Sequence, residues 1–221
     1  MKTITVKGIG RVSAPVDTVE LSFRLWAKDK NYDAALEAAA EKVDALERAL
    51  EKAGFAKEDY QTSGFHVNTE YESVQDKNGI YQTVFSGYNC SYDQLLRFDF
   101  DTERLGVALA AVAESKAQPE LNVNFTVKEP EKLEEALLQS AAENARKRAE
   151  VLCRASGVKM GGLQRIDYEF GHLNFRSETM MTMEDCAVPA LGAAKRSMAA
   201  NLRPKDIELQ ETAVFVWEMA E

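Results

Sequence analysis

The stretch Ala53-Gly54-Phe55-Ala56-Lys57-Glu58-Asp59-Tyr60-Gln61-Thr62-Ser63-Gly64-Phe65 decides the fold, because a long helix stops at its glycine and the chain turns directly into a strand. Asn31 is a suitable N-cap for that helix, and Gly54 is the expected left-handed stop. Apolar residues between them recur at steps of three and four, which is typical of one helical face. This stripe comprises Leu36, Ala39, Val43, Leu46, Leu50 and Ala53.

A second unit of the same kind follows later in the chain. Pro130 is well placed as the first residue of another long helix, which is expected to end at Gly157. Its apolar stripe runs through Leu133, Leu137, Ala141, Ala145, Ala149 and Leu152. Many of these residues are alanines, so another element is expected to approach this helix closely.

Alternating apolar and polar residues predict the strands between and around these helices. Residues 3–12 and 19–25 alternate clearly, and Asn78-Gly79 is a strong hairpin signal between the strand-rich stretches 60–74 and 80–100. Further strands are predicted at 121–127, 163–170 and 207–219, with a shorter helix from about Thr102. The last strand is apolar on both faces around Ala213-Val214-Phe215-Val216-Trp217, which indicates a central position in its sheet.

The order of elements predicts the fold class. From Asp17 to Val127 the chain has strand, helix, strand, strand, helix, strand, the order of a ferredoxin-like βαββαβ core. An N-terminal strand and a C-terminal helix-strand-strand unit extend it. We therefore predict an α+β protein with mainly antiparallel sheets and helices on one face. Residues 1–221 are expected to form a single domain of two intimate helix-on-sheet halves, and the irregular segment 174–205 to be poorly ordered in an isolated subunit.

Composition limits the partners and the compartment. The net charge of −9 argues against nucleic acid, which requires a concentrated basic face. The N-terminus has no signal-peptide pattern, and no apolar run reaches the ~20 residues that span a bilayer. Cys90, Cys153 and Cys186 are too far apart for a disulfide framework or a CxxC motif. We therefore expect a cytoplasmic protein, or a periplasmic or cell-envelope protein if a leader has been removed.

Several motifs taken in order resemble the SIMPL-domain family of bacterial proteins. The resemblance rests on Ile4-Thr5-Val6-Lys7-Gly8-Ile9-Gly10-Arg11-Val12-Ser13, Asp17-Thr18-Val19-Glu20-Leu21-Ser22-Phe23, Lys57 to Phe65, Gly87-Tyr88 and Ala155-Ser156-Gly157-Val158-Lys159. It implies a link to stress tolerance, to cell-surface antigens and to homo-oligomeric assembly. It implies no catalytic residues, and no motif of the sequence predicts a cofactor.

Three groups of residues have both a reactive and an ordinary structural interpretation. Gly8-Ile9-Gly10 is not a dinucleotide motif, since a turn and not a helix follows it. His66 and Cys90 could form a base and nucleophile pair if their strands were hairpin partners, but no third orienting group is evident. Met180, Met181, Met183 and Cys186 would suit Cu(I), although a loop whose methionines contact a partner or solvent is favoured.

The aromatic residues of the hairpin are the one group for which a functional interpretation competes evenly with core packing. An exposed apolar patch there would mark an association surface. The candidate interface comprises Tyr71, Tyr81, Phe85, Tyr88 and Tyr92.

These patterns are compatible with three functions. The first is a non-enzymatic, self-assembling protein with a stress-related scaffolding or sequestration role, which associates through the hairpin and the sheet edges. The second is a small-ligand binder or enzyme with a pocket between the two halves. The third is soft-metal binding by the methionine-rich segment.

Overall fold

A computed structural model describes residues 2–75, 79–169, 171–179, 181–182 and 202–220. The strands are β1 (Thr3–Ala14), β2 (Thr18–Asp29), β3 (Tyr60–Gln75), β4 (Tyr81–Asp99), β5 (Glu120–Thr126), β6 (Lys159–Asp167), β7 (Met181–Thr182) and β8 (Ile207–Ala220). The helices are α1 (Tyr32–Lys52), α2 (Thr102–Glu114) and α3 (Pro130–Ala155), with a short 3₁₀ turn at Lys57–Asp59. This α+β composition with antiparallel sheets confirms the predicted fold class.

The chain divides into two compact units. The first contains Met1–Val16, Thr126–Glu178 and Pro204–Glu221, and the second contains Asp17–Phe125 and Thr179–Arg203. The expectation of a single domain with intimate halves stays a prediction.

The sheet of the first unit has the order β1-β8-β6, with antiparallel pairing throughout. The strand that is apolar on both faces is therefore central, as predicted. Its residues Ala213, Phe215 and Trp217 pack with Val6 of β1 and with Ala145 and Ala149 of α3 in one buried cluster.

Helix α3 lies unusually close to β1 because both surfaces are built from small residues. A Cβ added to Gly8 would collide with the carbonyl oxygen of Ala141, and one added to Gly10 with that of Leu137. Polar side chains of α3 also bond the outer edge of β1. The amide of Ile9 donates to Asn144 Oδ1 at 3.1 Å, and Arg148 Nη1 donates to the Lys7 carbonyl at 3.2 Å. Gly8-Ile9-Gly10 thus allows α3 to pack closely against β1, and side chains of α3 cover the outer edge of this strand.

The sheet of the second unit has the order β3-β4-β2-β5-β7. Strand β4 lies between β2 and β3, so the helix α1 that connects those two strands makes a split βαβ unit. Its core face is the predicted one, since Val19, Leu21, Phe23 and Leu25 are at most 2% exposed. Asn31 caps α1 by accepting hydrogen bonds from two backbone amides, and Gly54 has φ +93° at its end.

The structure differs from the sequence prediction in three details: the buried residues of α1, those of α3, and the range of β6. In α1 the fully buried residues are Ala35, Ala39, Leu46 and Leu50, while Leu36 and Val43 are only half-buried. In α3 Leu152 is 51% exposed and Cys153 is buried, because the contact line follows steps of four from Leu137 through Ala149. Strand β6 covers Lys159–Asp167, several residues before the predicted 163–170.

Of the irregular segment 174–205, only residues 174–179, 181–182 and 202–205 are described. Ser177 is buried, and its hydroxyl donates to the Lys205 carbonyl at 2.7 Å. Residues 180 and 183–201 lie outside the described residues. Most of the prediction of poor order concerns these residues and stays a prediction.

Replacing Gly8 with Ala should lower the free energy of unfolding by roughly 2 kcal/mol or more, because the new methyl group overpacks the contact with α3. Gly162→Ala is the matched control, since a Cβ there meets no atom within 4 Å. Chemical denaturation of both variants measures the difference. Equal stability of the two would show that β1 and α3 do not approach each other in this way.

Candidate functional site

The hairpin of β3 and β4 extends beyond the rest of its sheet. The last pair between β2 and β4 joins Asp29 to Tyr88, yet β3 and β4 continue to pair as far as Gln75 and Tyr81. Residues 71–75 and 80–86 form this two-stranded extension, which we call the arm. In the described part of the chain no third strand pairs with it. A ribbon of two strands is marginally stable in water, so the arm depends on side-chain contacts or on a partner.

The strand register places three aromatic rings on one face of the arm. Tyr71 pairs directly with Phe85 and Gln75 with Tyr81, and residues two apart along a strand share a face. These rings are exposed by 61% for Tyr71, 69% for Tyr81 and 44% for Phe85. Val74 and Val84 lie on the opposite face and are 45% and 38% exposed. Apolar groups thus face outward on both sides of the ribbon.

The other two candidate interface residues lie nearer the core. Tyr88 and Tyr92 are half-buried and pack against the buried cluster of Ala27, Ala35, Ala39 and Cys90. The Tyr88 ring also contacts Phe85 at 5.2 Å and Tyr32 at 5.5 Å between centroids. Tyr88 therefore connects the arm to the start of α1.

A bulge marks the base of the arm. The register shifts between the pairs Glu70–Gly87 and Tyr71–Phe85, where one extra residue of β4 bends the ribbon. Gly87 has φ +156°, and a Cβ there would lie 2.7 Å from the Asp29 carbonyl oxygen at the end of β2. Glycine is therefore required where the arm leaves the sheet.

A polar trough lies on the sheet of the second unit. Along each strand, the side chains that line it alternate with those that face the core. It has a volume of about 600 Å³ and adjoins a smaller pocket of about 270 Å³, with Arg24 and Glu120 lining both. The trough is lined by Arg24, Trp26, Lys28, His66, Asn68, Glu70, Asn89, Ser91 and Glu120. All of these residues belong to β2, β3, β4 or β5, and only His66 was considered from the sequence, as a base for Cys90.

One ion pair lies in the trough, and a second joins it to the adjoining pocket, which Asp93 lines. Arg24 Nε donates to Asp93 Oδ1 at 2.7 Å, and Lys28 Nζ lies 2.6 Å from Glu70 Oε2. Hydrogen bonds from Lys28 and Asn89 lower the pKa of Glu70, so this carboxylate stays ionised at neutral pH. The trough therefore has both donors and acceptors, with its charges largely paired.

The side-chain oxygen of Asn89 has no hydrogen-bond partner among the described residues. Its Nδ2 donates to Glu70 Oε1 at 2.7 Å, whereas its Oδ1 is buried and accepts no hydrogen bond from the described residues. A buried polar atom left without a hydrogen bond costs free energy.

The suggested pair of His66 and Cys90 is not brought together. Cys90 pairs with Val67 and lies in the core at 0% exposure, whereas the adjacent His66 lines the trough. Successive residues of a strand point to opposite faces, so the imidazole and the thiol are on different sides of the sheet. His66 Nε2 instead lies 3.7 Å from Asp93 Oδ2.

The copper hypothesis is not tested. Met180, Met183 and Cys186 lie outside the described residues, and of Met181 only the backbone in β7 is described. Elsewhere in the described ranges, no three His, Cys, Asp or Glu side chains come together as metal ligands. No helix within those ranges combines the length and the apolar character needed to cross a membrane.

Native Cys90 should resist thiol reagents at neutral pH, because burial raises the pKa of its thiol and keeps it neutral. In a Cys186→Ser variant only Cys90 and Cys153 remain, and both are buried. A colorimetric thiol assay should show little reaction in the native state and two reactive thiols after denaturation. Rapid modification of native Cys90 would contradict its placement in the core.

Two Brucella proteins resemble this chain at low identity. The 26 kDa periplasmic immunogenic protein of Brucella melitensis biotype 1 is 25% identical over 163 residues, which are 74% of this chain and 65% of that protein. The protein of the same name from Brucella abortus strain S19 gives the same values. The match thus spans slightly less than two thirds of the length of these relatives.

A solved structure resembles this chain more weakly. The crystal structure of AtUAH in complex with glyoxylate is 17% identical, covers 51% of this chain and 27% of that one, and has a TM-score of 0.22. A likeness at this level carries no argument about fold or function. The SIMPL family model, described as a protein of unknown function (DUF541), matches residues 4–217, and the chain therefore belongs to the SIMPL family.

Proposed function

We propose that this protein self-assembles through the ring face of the arm and the outer edge of β3. The observation that carries the proposal is the arm itself, on which Tyr71, Tyr81 and Phe85 are 44–69% exposed without a third strand among the described residues. Exposed apolar patches of this kind mark association surfaces.

The size of the ring face indicates that it does not act alone. An aromatic side chain buries about 150–250 Å² when fully covered. Because these rings are only 44–69% exposed, the six rings of two facing arms would bury on the order of 500–900 Å². A stable protein–protein interface buries roughly 1,200–2,000 Å². A second surface must therefore contribute to the interface.

The outer edge of β3 is the best candidate for that second surface. β3 is the outermost strand of its sheet, and most of its sixteen residues are exposed. An edge strand offers unpaired backbone groups to another chain, and β3 continues directly into the arm. By contrast, side chains of α3 bond the outer edge of β1.

A periplasmic location is part of the proposal. The two Brucella relatives are named as periplasmic proteins. The cytoplasmic expectation depended on the lack of a signal-peptide pattern and on the scattered cysteines. Cys90 and Cys153 are free and buried, which is compatible with either compartment. The stress-related scaffolding or sequestration role stays a prediction, as do the absence of catalysis and the exclusion of nucleic acid.

Replacing Tyr71 and Tyr81 together with Ser should weaken self-association about a hundredfold or more, if each ring contributes ~1.5–2 kcal/mol as interface tyrosines do. Sedimentation velocity over a concentration series measures the shift towards the monomer. Val151→Ser is the matched control, because Val151 on α3 is 60% exposed and lies outside the arm. The proposal fails if the wild-type chain is a monomer at tens of micromolar, or if the control weakens association as much as the double variant.

A further inference from the structure

We propose that the polar trough of the second unit binds a neutral saccharide. This site lies apart from the ring face of the arm, so the inference goes beyond self-assembly. Its volume of about 600 Å³ falls within the ~300–1,000 Å³ of small-molecule pockets.

The charges of the trough favour a neutral ligand. Arg24 is paired with Asp93, and Lys28 with Glu70, so both cations already have carboxylate partners. The carboxylate of Glu120 also acts on Arg24 through its charge. An anionic ligand would have to compete with these carboxylates, and a cationic one with the two basic side chains. A ligand without net charge needs to break neither pair.

The hydrogen-bonding groups of the trough match hydroxyl groups. Asn68 and Asn89 carry amide groups, Ser91 carries a hydroxyl, and Glu70 and Glu120 carry carboxylates. A hydroxyl both donates and accepts, so it is suited to a surface where donors and acceptors alternate.

Trp26 supplies the apolar part of the site. Trp26 lines the trough and is 44% exposed, with Lys42 Nζ 5.4 Å from its ring centroid. Lys42 also donates to the Trp26 carbonyl at 2.8 Å, which fixes the backbone of β2 at this point. An indole beside planar polar groups suits a pyranose ring, which has an apolar C–H face and a rim of hydroxyls.

Tryptophan fluorescence gives a direct test, because the chain has only Trp26 and Trp217 and the latter is buried in the first unit. In a Trp217→Phe variant all tryptophan emission comes from Trp26. Titration with maltotriose, cellotriose and the trimer of N-acetylglucosamine should give a saturable change in emission with at least one of them. Calorimetric titration of the wild-type chain provides the same answer if the Trp217→Phe variant does not fold.

Variants then locate the binding. Glu120→Gln and Asn68→Ala should each weaken the saccharide at least tenfold, whereas Glu143→Gln, on the exposed surface of α3, should leave its affinity unchanged. The proposal is overturned if none of the three saccharides binds. It is also overturned if binding survives both trough substitutions, or if glycine or inorganic phosphate displaces the sugar.

Discussion

The mismatch in length between β2 and the hairpin beside it determines which apolar side chains of the second unit are left exposed. β2 stops pairing with β4 at Asp29, and α1 begins three residues later at Tyr32. The hairpin continues past that point with apolar side chains on both faces and, among the described residues, only its own two strands for support. Under the proposed assembly, a second copy with the same ribbon would cover those side chains.

The glycines of the family motifs serve close packing. Gly8 and Gly10 allow α3 to lie against β1, and Gly87 allows the arm to leave the sheet beside Asp29. Gly64 lies beside the Asp93 and His66 side chains, where a Cβ would be 3.0 Å from Asp93 Oδ2. These positions explain the motifs by backbone approach, without assigning them a step in catalysis.

The sequence predicted features that depend on local pattern and missed those that depend on register. The alternation of Val19 to Leu25 and the helix between Asn31 and Gly54 were predicted because period and caps are visible in the residues themselves. The trough was missed because its residues come from neighbouring strands, as the pairs Arg24–Asp93 and Lys28–Glu70 show. No local pattern reveals which strands are neighbours. The alternating Arg24, Trp26 and Lys28 on the polar face of β2 were the signal that could have found it.

Hydrogen exchange of the arm amides is the decisive measurement for self-assembly. The wild-type chain would be compared at about 1 μM and about 100 μM, which bracket a micromolar association. We predict that amides in 71–75 and 80–86 exchange more slowly at the higher concentration, while those of β1 exchange at the same rate at both. Equal exchange of the arm at the two concentrations, together with a monomeric mass at both, would contradict the assignment of the arm as an assembly surface.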